Sequence, residues 1–436
     1  MKPDMLKTFT VTLDTGILHL DLEPGHIPLQ RLLGFAARVS SKRKFLLVSK
    51  VLGKHYPVAP KLMSWSYRAL ARMLLKHDIG GGSLWIGMAE TATGLGYGVF
   101  EAACHEGAKQ ALFLQTTRYH LDGIERLEFD EAHSHATDFF LYYPEQAHHR
   151  ERFLTAETLV LIDDEISTGR TFLRLIKAYQ QVNPGLRRVF IVSLVNFAHP
   201  DDRAALADQA GVAVEWLCFR QGQLRFEDKQ NAAIDSITVN VSGNGACKKA
   251  LLAWPGRLGL DAPIRLDSDV FEQLSNSGFY GSHALRGNPA RDAPASRTAE
   301  RFTRHSHAER GNDESKPDER PILVLGTGEC NAPAYLLGRE LESQGFKVKV
   351  QSTTRSPIHQ GNAIGRVCQF EDNYDDGIPN FIYNLNPDDY SDIILCHETP
   401  LGAALNDRLQ AWHAVSARFE LQPDKSNHAK LHFSRP

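Results

Sequence analysis

Leu159-Val160-Leu161-Ile162-Asp163-Asp164-Glu165-Ile166-Ser167-Thr168-Gly169-Arg170-Thr171 decides how this chain is read. Four apolar residues make a buried strand, two adjacent carboxylates follow at its end, and a Ser/Thr/Gly loop opens a predicted helix, Phe172–Gln181. At the carboxyl end of a parallel strand, paired acids accept hydrogen bonds from vicinal hydroxyls such as those of a ribose. The loop and the helix N-terminus offer free backbone N–H groups and a positive dipole end to a phosphate, with the Ser167, Thr168 and Thr171 hydroxyls as further donors. Ribose and phosphate side by side describe a sugar phosphate. The plainer alternative is a buried strand before an N-capped helix with two solvated acids. It leaves the coincidence of four apolar residues, D-D-E and S-T-G-x-T in one run unexplained.

With 436 residues the chain has room for two or three domains. A 42% hydrophobic and 23% charged composition is that of a globular protein, and a formal charge of −3 gives no reason to expect a polyanion partner, so nucleic acid is not expected. No apolar run reaches the roughly 18 residues of a membrane span, and residues 1–20 lack a basic-then-apolar leader, so neither membrane nor export is expected. The six cysteines are scattered without a C-x-x-C pair and read as reduced thiols of a cytoplasmic protein.

Strand and helix patterns alternate on both sides of a polar stretch, the mark of α/β folds. Residues 282–320 are poor in apolar side chains and read as a flexible linker. Expected strands before it are Ser83–Met88, Ala111–Gln115, Phe139–Tyr143, Leu159–Ile162, Arg188–Val195 and Val212–Phe219, with helices at Gly96–Lys109, Phe172–Gln181 and Asp201–Gln209. After it come strands at Ile322–Leu325, Lys347–Gln351 and Asp392–Leu395 and a helix at Ala332–Gln344. The resulting division is an N-terminal segment 1–75, a domain 76–281, the linker 282–320 and a second domain 321–436. Within the first segment, Arg38-Val-Ser-Ser-Lys42-Arg43-Lys44, followed by the run 45–60, reads either as a solvated loop leading into a core strand or as a contributor to anion binding.

The order strand, D-D-E, S-T-G-x-T, helix resembles the 5-phosphoribosyl-1-pyrophosphate (PRPP) motif of type I phosphoribosyltransferases. The resemblance implies their α/β fold, a parallel sheet flanked by helices, and a reaction in which 5-phosphoribose passes from PRPP to a nitrogenous acceptor. Ser167, Thr168, Gly169, Arg170 and Thr171 would then hold the 5′-phosphate. Asp163 and Asp164 would hold the ribose hydroxyls and, through water and PRPP, a Mg²⁺ ion suited to oxygen ligands. Glu165 would face the ring or the acceptor. The turn Met88-Ala89-Glu90-Thr91, after a buried strand and before a helix, occupies the place of the pyrophosphate loop, which in the family often contains a non-proline cis peptide. Alone it would be only a tight glycine-rich turn. Arg118, after Gln115-Thr116-Thr117, is suited by its rigid donor fork to the developing pyrophosphate charge. The segment Phe129–Ala136 lies where the family has a mobile lid, with His133 and His135 as candidates to contact pyrophosphate or the leaving group, or as ordinary surface histidines. The hood that recognises the acceptor is expected from residues 1–75 and 212–254. A homodimer fits the same expectation.

The C-terminal section repeats this order. Gly87-x-x-Glu90 has a counterpart in Gly326-Thr327-Gly328-Glu329. Gln115-Thr116-Thr117-Arg118 has one in Ser352-Thr353-Thr354-Arg355, followed by Ser356. Asp163-Asp164-Glu165 aligns by motif with Cys396-His397-Glu398. The intervals are similar, 75 residues from Glu90 to Glu165 and 69 from Glu329 to Glu398. A second, degenerate phosphoribosyltransferase-like domain is therefore expected. It has lost the acids, yet keeps a candidate ligand site at Gly326, Thr327, Gly328, Glu329, Thr353, Thr354, Arg355 and Ser356. The T-R-S-P run and the long spacer resemble a family in which a phosphoribosyltransferase domain precedes a TRSP domain, in bacterial tellurite-resistance and stress gene clusters. A sensor that binds nucleotide or PRPP on the same fold is the second functional reading.

Overall fold

The computed structural model describes residues 7–38, 43–130, 137–229, 251, 253–279, 318–374, 376–421 and 427–435. The expected linker falls almost wholly outside them, as do His133 and His135.

The N-terminal segment supplies strands β1 (Lys7–Leu13), β2 (Gly16–Leu22), β3 (Leu33–Ala37) and β4 (Phe45–Ser49) and helix α1 (Pro60–Leu74). Next come β5 (Ser83–Gly87), α2 (Thr93–His105), β6 (Ala111–Gln115), β7 (Arg126–Asp130), β8 (Thr137–Tyr142), α3 (Ala147–Thr155), β9 (Thr158–Ile166), α4 (Arg170–Val182), β10 (Arg188–Asn196), α5 (Pro200–Ala210) and β11 (Ala213–Asp228). Seven strands form one sheet in the order β1-β2-β11-β10-β9-β5-β6. β6, β5, β9, β10 and β11 run parallel. Their near-continuous apolar runs are what a sheet covered on both faces requires, and all of β5 and β6 is buried. Helix α2 sits tightly on β5 because Gly96 faces Gly87, where a Cβ on Gly96 would meet the Gly87 Cα at 2.5 Å.

The two N-terminal strands and the length of β11 depart from the sequence reading. β1 and β2 are part of the first sheet, since β2 pairs antiparallel with the extended second half of β11. Polar–apolar alternation through Leu224 and Phe226 carries that strand past Phe219. The polar segment after Arg118 holds the β7–β8 hairpin.

The second sheet has the order β12-β19-β18-β17-β13-β14. Its strands are β12 (Arg265–Leu266), β13 (Ile322–Gly326), β14 (Val348–Ser352), β17 (Asp392–His397), β18 (Val415–Leu421) and β19 (His428–Ser434). The helices are α6 (Asn331–Ser343) and α7 (Ala403–Ala411), and β15 (Val367–Glu371) pairs with β16 (Pro379–Tyr383) as a separate hairpin. The strands β14, β13, β17 and β18 are parallel.

In both units the second strand flanks the first, followed by the third and the fourth, and an antiparallel hairpin lies between the second and third. The likeness extends to single bonds. Thr116 Oγ1 accepts from Ala89 N at 2.8 Å, as Thr353 Oγ1 does from Gly328 N at 2.8 Å. Isolated bridges join Thr117 to Phe140 and Thr354 to Phe381. The Tyr142 hydroxyl accepts from Leu121 N and donates to Tyr119 O, and Tyr383 does the same with Ile358 N and Ser356 O.

Register corrects the motif alignment by one residue. Gly87 pairs with Ile162 and Gly326 with Cys396, so His397 and Glu398 stand at the places of Asp163 and Asp164. The loop from that strand to the following helix cap is one residue shorter in the second unit, Cys396 to Gly402 against Ile162 to Gly169, which is why the motif match slipped.

The units meet through equivalent helices. Gly94 of α2 leaves room for Asn331 of α6, whose Cβ would lie 3.0 Å from an added Cβ. Arg339 of α6 pairs with Glu101 of α2, and Tyr67 packs edge-on to Tyr335. No helix among the described residues is long and apolar enough to cross a membrane. The described cysteines are all free.

Candidate functional site

Parallel strands end together, so the loops after β5, β6 and β9 converge at one edge of the first sheet. There they line a cavity of about 310 Å³. From β5 come Met88, Ala89, Glu90 and Thr91; from β6, Arg118; from β9 and the start of α4, Asp163 to Phe172. Arg38, Arg43, Leu46, Leu47 and His55 enter from the N-terminal hairpin and the segment after it. The structure thus brings the three groups read from sequence into one place.

β9 continues through Glu165, so the acids project from strand positions rather than from a loose loop. Asp163 and Asp164 are half-buried neighbours, with Asp164 N donating to Asp163 Oδ1 at 2.9 Å. Burial, then the adjacent carboxylate, push Asp163 well above the usual carboxylate range. Burial and Glu165 push Asp164 up to about 7. Two acids costly to ionise together match hydroxyl groups or a hard cation as partners. Glu165 instead has a counter-ion, Arg43, whose guanidinium also lies 4.6 Å from the Phe45 ring centre.

Gly169 caps α4 with φ +77°, and a Cβ there would lie 3.0 Å from both Leu206 and Trp216. Glycine takes this left-handed turn without strain, and its missing Cβ lets the loop lie against the sheet. Ser167 and Arg170 are exposed, and Thr168 Oγ1 accepts from Arg170 N at 3.4 Å.

The β5 loop contains a cis peptide between Ala89 and Glu90. Glu90 is 9% exposed and bonded by Lys54 Nζ at 2.7 Å and Arg355 Nε at 3.2 Å. Burial alone would raise its carboxyl, but Lys54 and Arg355, with Arg118 beyond them, hold it at about 2. Burial and Lys54 lower His55 to about 3, so that ring is neutral. The Arg118 side chain lies over the Phe139 ring at 4.3 Å.

The equivalent place in the second unit is filled from within. Arg257, fully buried, donates to Glu398 Oε2 at 2.6 Å and Oε1 at 3.1 Å and to Glu329 Oε2 at 3.1 Å. Burial would lower this guanidinium's pKa, but Glu398 and Glu329 raise it. Glu329 further accepts from Thr117 Oγ1 at 2.7 Å and Arg118 N at 3.1 Å. His397 uses both ring nitrogens, on Thr399 O and Ser416 Oγ, each at 2.7 Å.

The second-domain candidates therefore divide. Gly326, Thr327, Gly328, Glu329 and Thr353 surround the Arg257 cluster and its loop, with Tyr374 donating to Thr327 O at 3.0 Å. Thr354, Arg355 and Ser356 line the first domain's cavity. Sequence reasoning missed Arg257 and did not single out Lys54, although Lys54 lies in the run after Lys44 that is read with it as a possible anion holder. Each is a lone cation in an otherwise apolar or turn-rich run, Val51-Leu-Gly-Lys54 and Trp254-Pro-Gly-Arg257-Leu258. A charge there asks for a buried carboxylate, and that was the available signal.

Residues 32–223 match the family model described as phosphoribosyl transferase, and residues 288–411 match that of the TRSP domain C-terminal to it. No curated protein matches the chain. Among solved structures, an adenine phosphoribosyltransferase from Rhodothermus marinus is 17% identical, over 44% of this chain and 96% of its own, with a TM-score of 0.29. One from Trypanosoma brucei, in complex with AMP, pyrophosphate and ribose-5-phosphate, gives 12%, 49%, 86% and 0.31. An orotate phosphoribosyltransferase from Mycobacterium tuberculosis gives 14%, 43%, 91% and 0.25. Likenesses this weak carry no inference about ligands.

Proposed function

We propose that this enzyme, a phosphoribosyltransferase domain followed by a TRSP domain, transfers 5-phosphoribose from PRPP to a small nitrogenous acceptor and releases pyrophosphate. The observation that carries the reading is the single cavity lined by the acid pair, the Ser167–Thr171 loop, the Met88–Thr91 turn and Arg118. A sugar bearing a 5′-phosphate and a 1-diphosphate needs those three chemistries at one strand edge.

Backbone N–H groups of Thr168 to Thr171 and the N-terminus of α4 bind the 5′-phosphate, aided by the Ser167 and Thr171 hydroxyls. Asp163 and Asp164 accept from the ribose hydroxyls. Their ionised oxygens also favour the positive charge that grows on the ring as the C1–O bond to the diphosphate breaks. The Met88–Thr91 turn and Arg118 receive the negative charge that leaves. The acceptor nitrogen then bonds to C1 with its lone pair, the electron pair of the broken bond departs with pyrophosphate, and the proton on that nitrogen leaves to solvent. Glu165, held by Arg43 beside Leu46 and Leu47, faces the acceptor side. Mg²⁺ fits the oxygen-only donors and the uncompensated acid pair; bound with PRPP through Asp163 and Asp164, it would neutralise diphosphate charge. A place in a stress-linked biosynthetic pathway rests on the resemblance to proteins in which a phosphoribosyltransferase domain precedes a TRSP domain.

The test is to incubate the full chain with PRPP, Mg²⁺ and pooled nitrogenous metabolites, and to follow pyrophosphate and new ribosylated masses. Turnover supports the transferase. PRPP bound tightly without turnover on any acceptor favours the sensor.

A further inference from the structure

We infer that the second domain supplies part of the first domain's diphosphate subsite, with Arg355 binding the leaving diphosphate and Thr354 and Ser356 lining the same wall. The inference rests on the PRPP reading above. It makes the TRSP domain a built-in partner for the first site rather than a site of its own.

The two halves exchange contacts reciprocally. Glu329 of the second loop is bonded by Thr117 and the Arg118 N–H of the first unit, and Glu90 of the first loop is bonded by Arg355 of the second. Arg118 and Arg355 are the same position of the repeat. Two copies of one fold packed through equivalent helices meet in this way about a local two-fold axis. Each T-T-R loop then reaches the other unit's strand-end loop, whichever of the two loops still serves a ligand.

Among the described residues, the first unit's loop lines a cavity, and the second unit's loop is closed. Arg257 closes the second unit's loop against Glu329 and Glu398 with no exposed surface on its side chain, so a ligand there would have to displace a buried guanidinium from two carboxylates. The first unit's loop faces open space beside Asp163, and Thr354, Arg355 and Ser356 are the second-domain residues that line it.

Charge points the same way. Around Glu90 stand Lys54, Arg355 and Arg118, three cations on one carboxylate. Together they leave a net positive wall beside the turn where a diphosphate would sit. Arg355 is held in place on its far side, its guanidinium 5.4 Å from the Tyr119 ring, which stacks on Tyr374 at 4.5 Å. A fixed planar fork suits bidentate phosphate binding and loses little freedom on doing so. Ser356 Oγ is a buried hydroxyl on the same wall with no partner among the described residues, a further donor for a phosphate oxygen.

The test is calorimetric titration of the full chain with Mg²⁺–PRPP and, separately, with ribose 5-phosphate, which carries the ring and the 5′-phosphate but no diphosphate. R355M is expected to weaken PRPP by about 10- to 100-fold and to leave ribose 5-phosphate unchanged. R355K, which keeps the charge opposite Glu90, should recover part of the loss. If R355M binds PRPP as the wild type does, or weakens both ligands equally, Arg355 serves only to hold Glu90 and the inference falls. Wild-type chain that binds neither ligand would instead remove the PRPP reading itself. Should R355M not fold, a crystal structure of the wild type with PRPP decides. A guanidinium–diphosphate hydrogen bond supports the inference, and a guanidinium bonded to Glu90 alone overturns it.

Discussion

The ends of β9 and β17 are the same place in two copies of one fold, yet they hold opposite electrostatic situations. At the end of β9, Asp163 and Asp164 face a cavity with no cation among the described residues bonded to either. At the end of β17, His397 is tied by both ring nitrogens and Glu398 is neutralised by Arg257. One site keeps its acids under strain and ready for a ligand. The other has spent its acid on an internal ion pair. The difference teaches that the two halves share a scaffold, down to the Thr116 and Thr353 hydroxyl bonds, while the paired acids and their cavity belong to the first half.

The comparison can be broken most severely at Arg257. Arg257→Met leaves Glu329 and Glu398 buried without their cation, and unfolding free energy should fall by about 3–5 kcal/mol. Chemical denaturation measures this. In whatever fraction stays folded, PRPP stoichiometry should remain one per chain, because His397 stands where Asp163 does in the first unit. Two bound PRPP per chain would show the second site to be competent.

Arg118→Ala probes the working side. Glu329 takes the backbone N–H of Arg118, so the loop keeps that bond while the cavity loses the side chain. Turnover should fall by about 10- to 100-fold with little change in melting temperature.

The smallest effect sharpens the contrast in ionisation. The carboxyl pKa values of Asp163 and Asp164 are raised in the folded state, so their contribution to stability is present below their unfolded values near 3.8 and is lost as pH rises, for Asp164 through about 7. Asp163→Asn with Asp164→Asn should therefore melt a few degrees above the wild type at pH 8, in the absence of ligand, and the gain should vanish by pH 4. Glu90 runs the other way: its contribution is present above 4.5 and is lost as pH falls toward 2.

Much of this was legible in the sequence. The D-D-E run, the Ser167–Thr171 loop and the Gln115–Arg118 segment are local patterns whose chemistry is set by spacing along one strand end. The second copy was legible for the same reason, though short motifs without register misplaced Cys396 against Asp163. Lys54, Arg257 and the route of Arg355 into the first cavity were not legible. They depend on which carboxylate lies across a fold interface, and no local spacing encodes that. The long β11 was hidden because its second half pairs with a strand roughly 200 residues earlier in the chain.

Calorimetric titration of Mg²⁺–PRPP into the full chain, with and without the double substitution Asp163→Asn and Asp164→Asn, addresses the central assignment. Saturable binding of one PRPP per chain, lost in the double variant while its fold is retained, is the predicted result. Equal PRPP affinity in both proteins would contradict the placement of the ribose-binding acids at the end of β9.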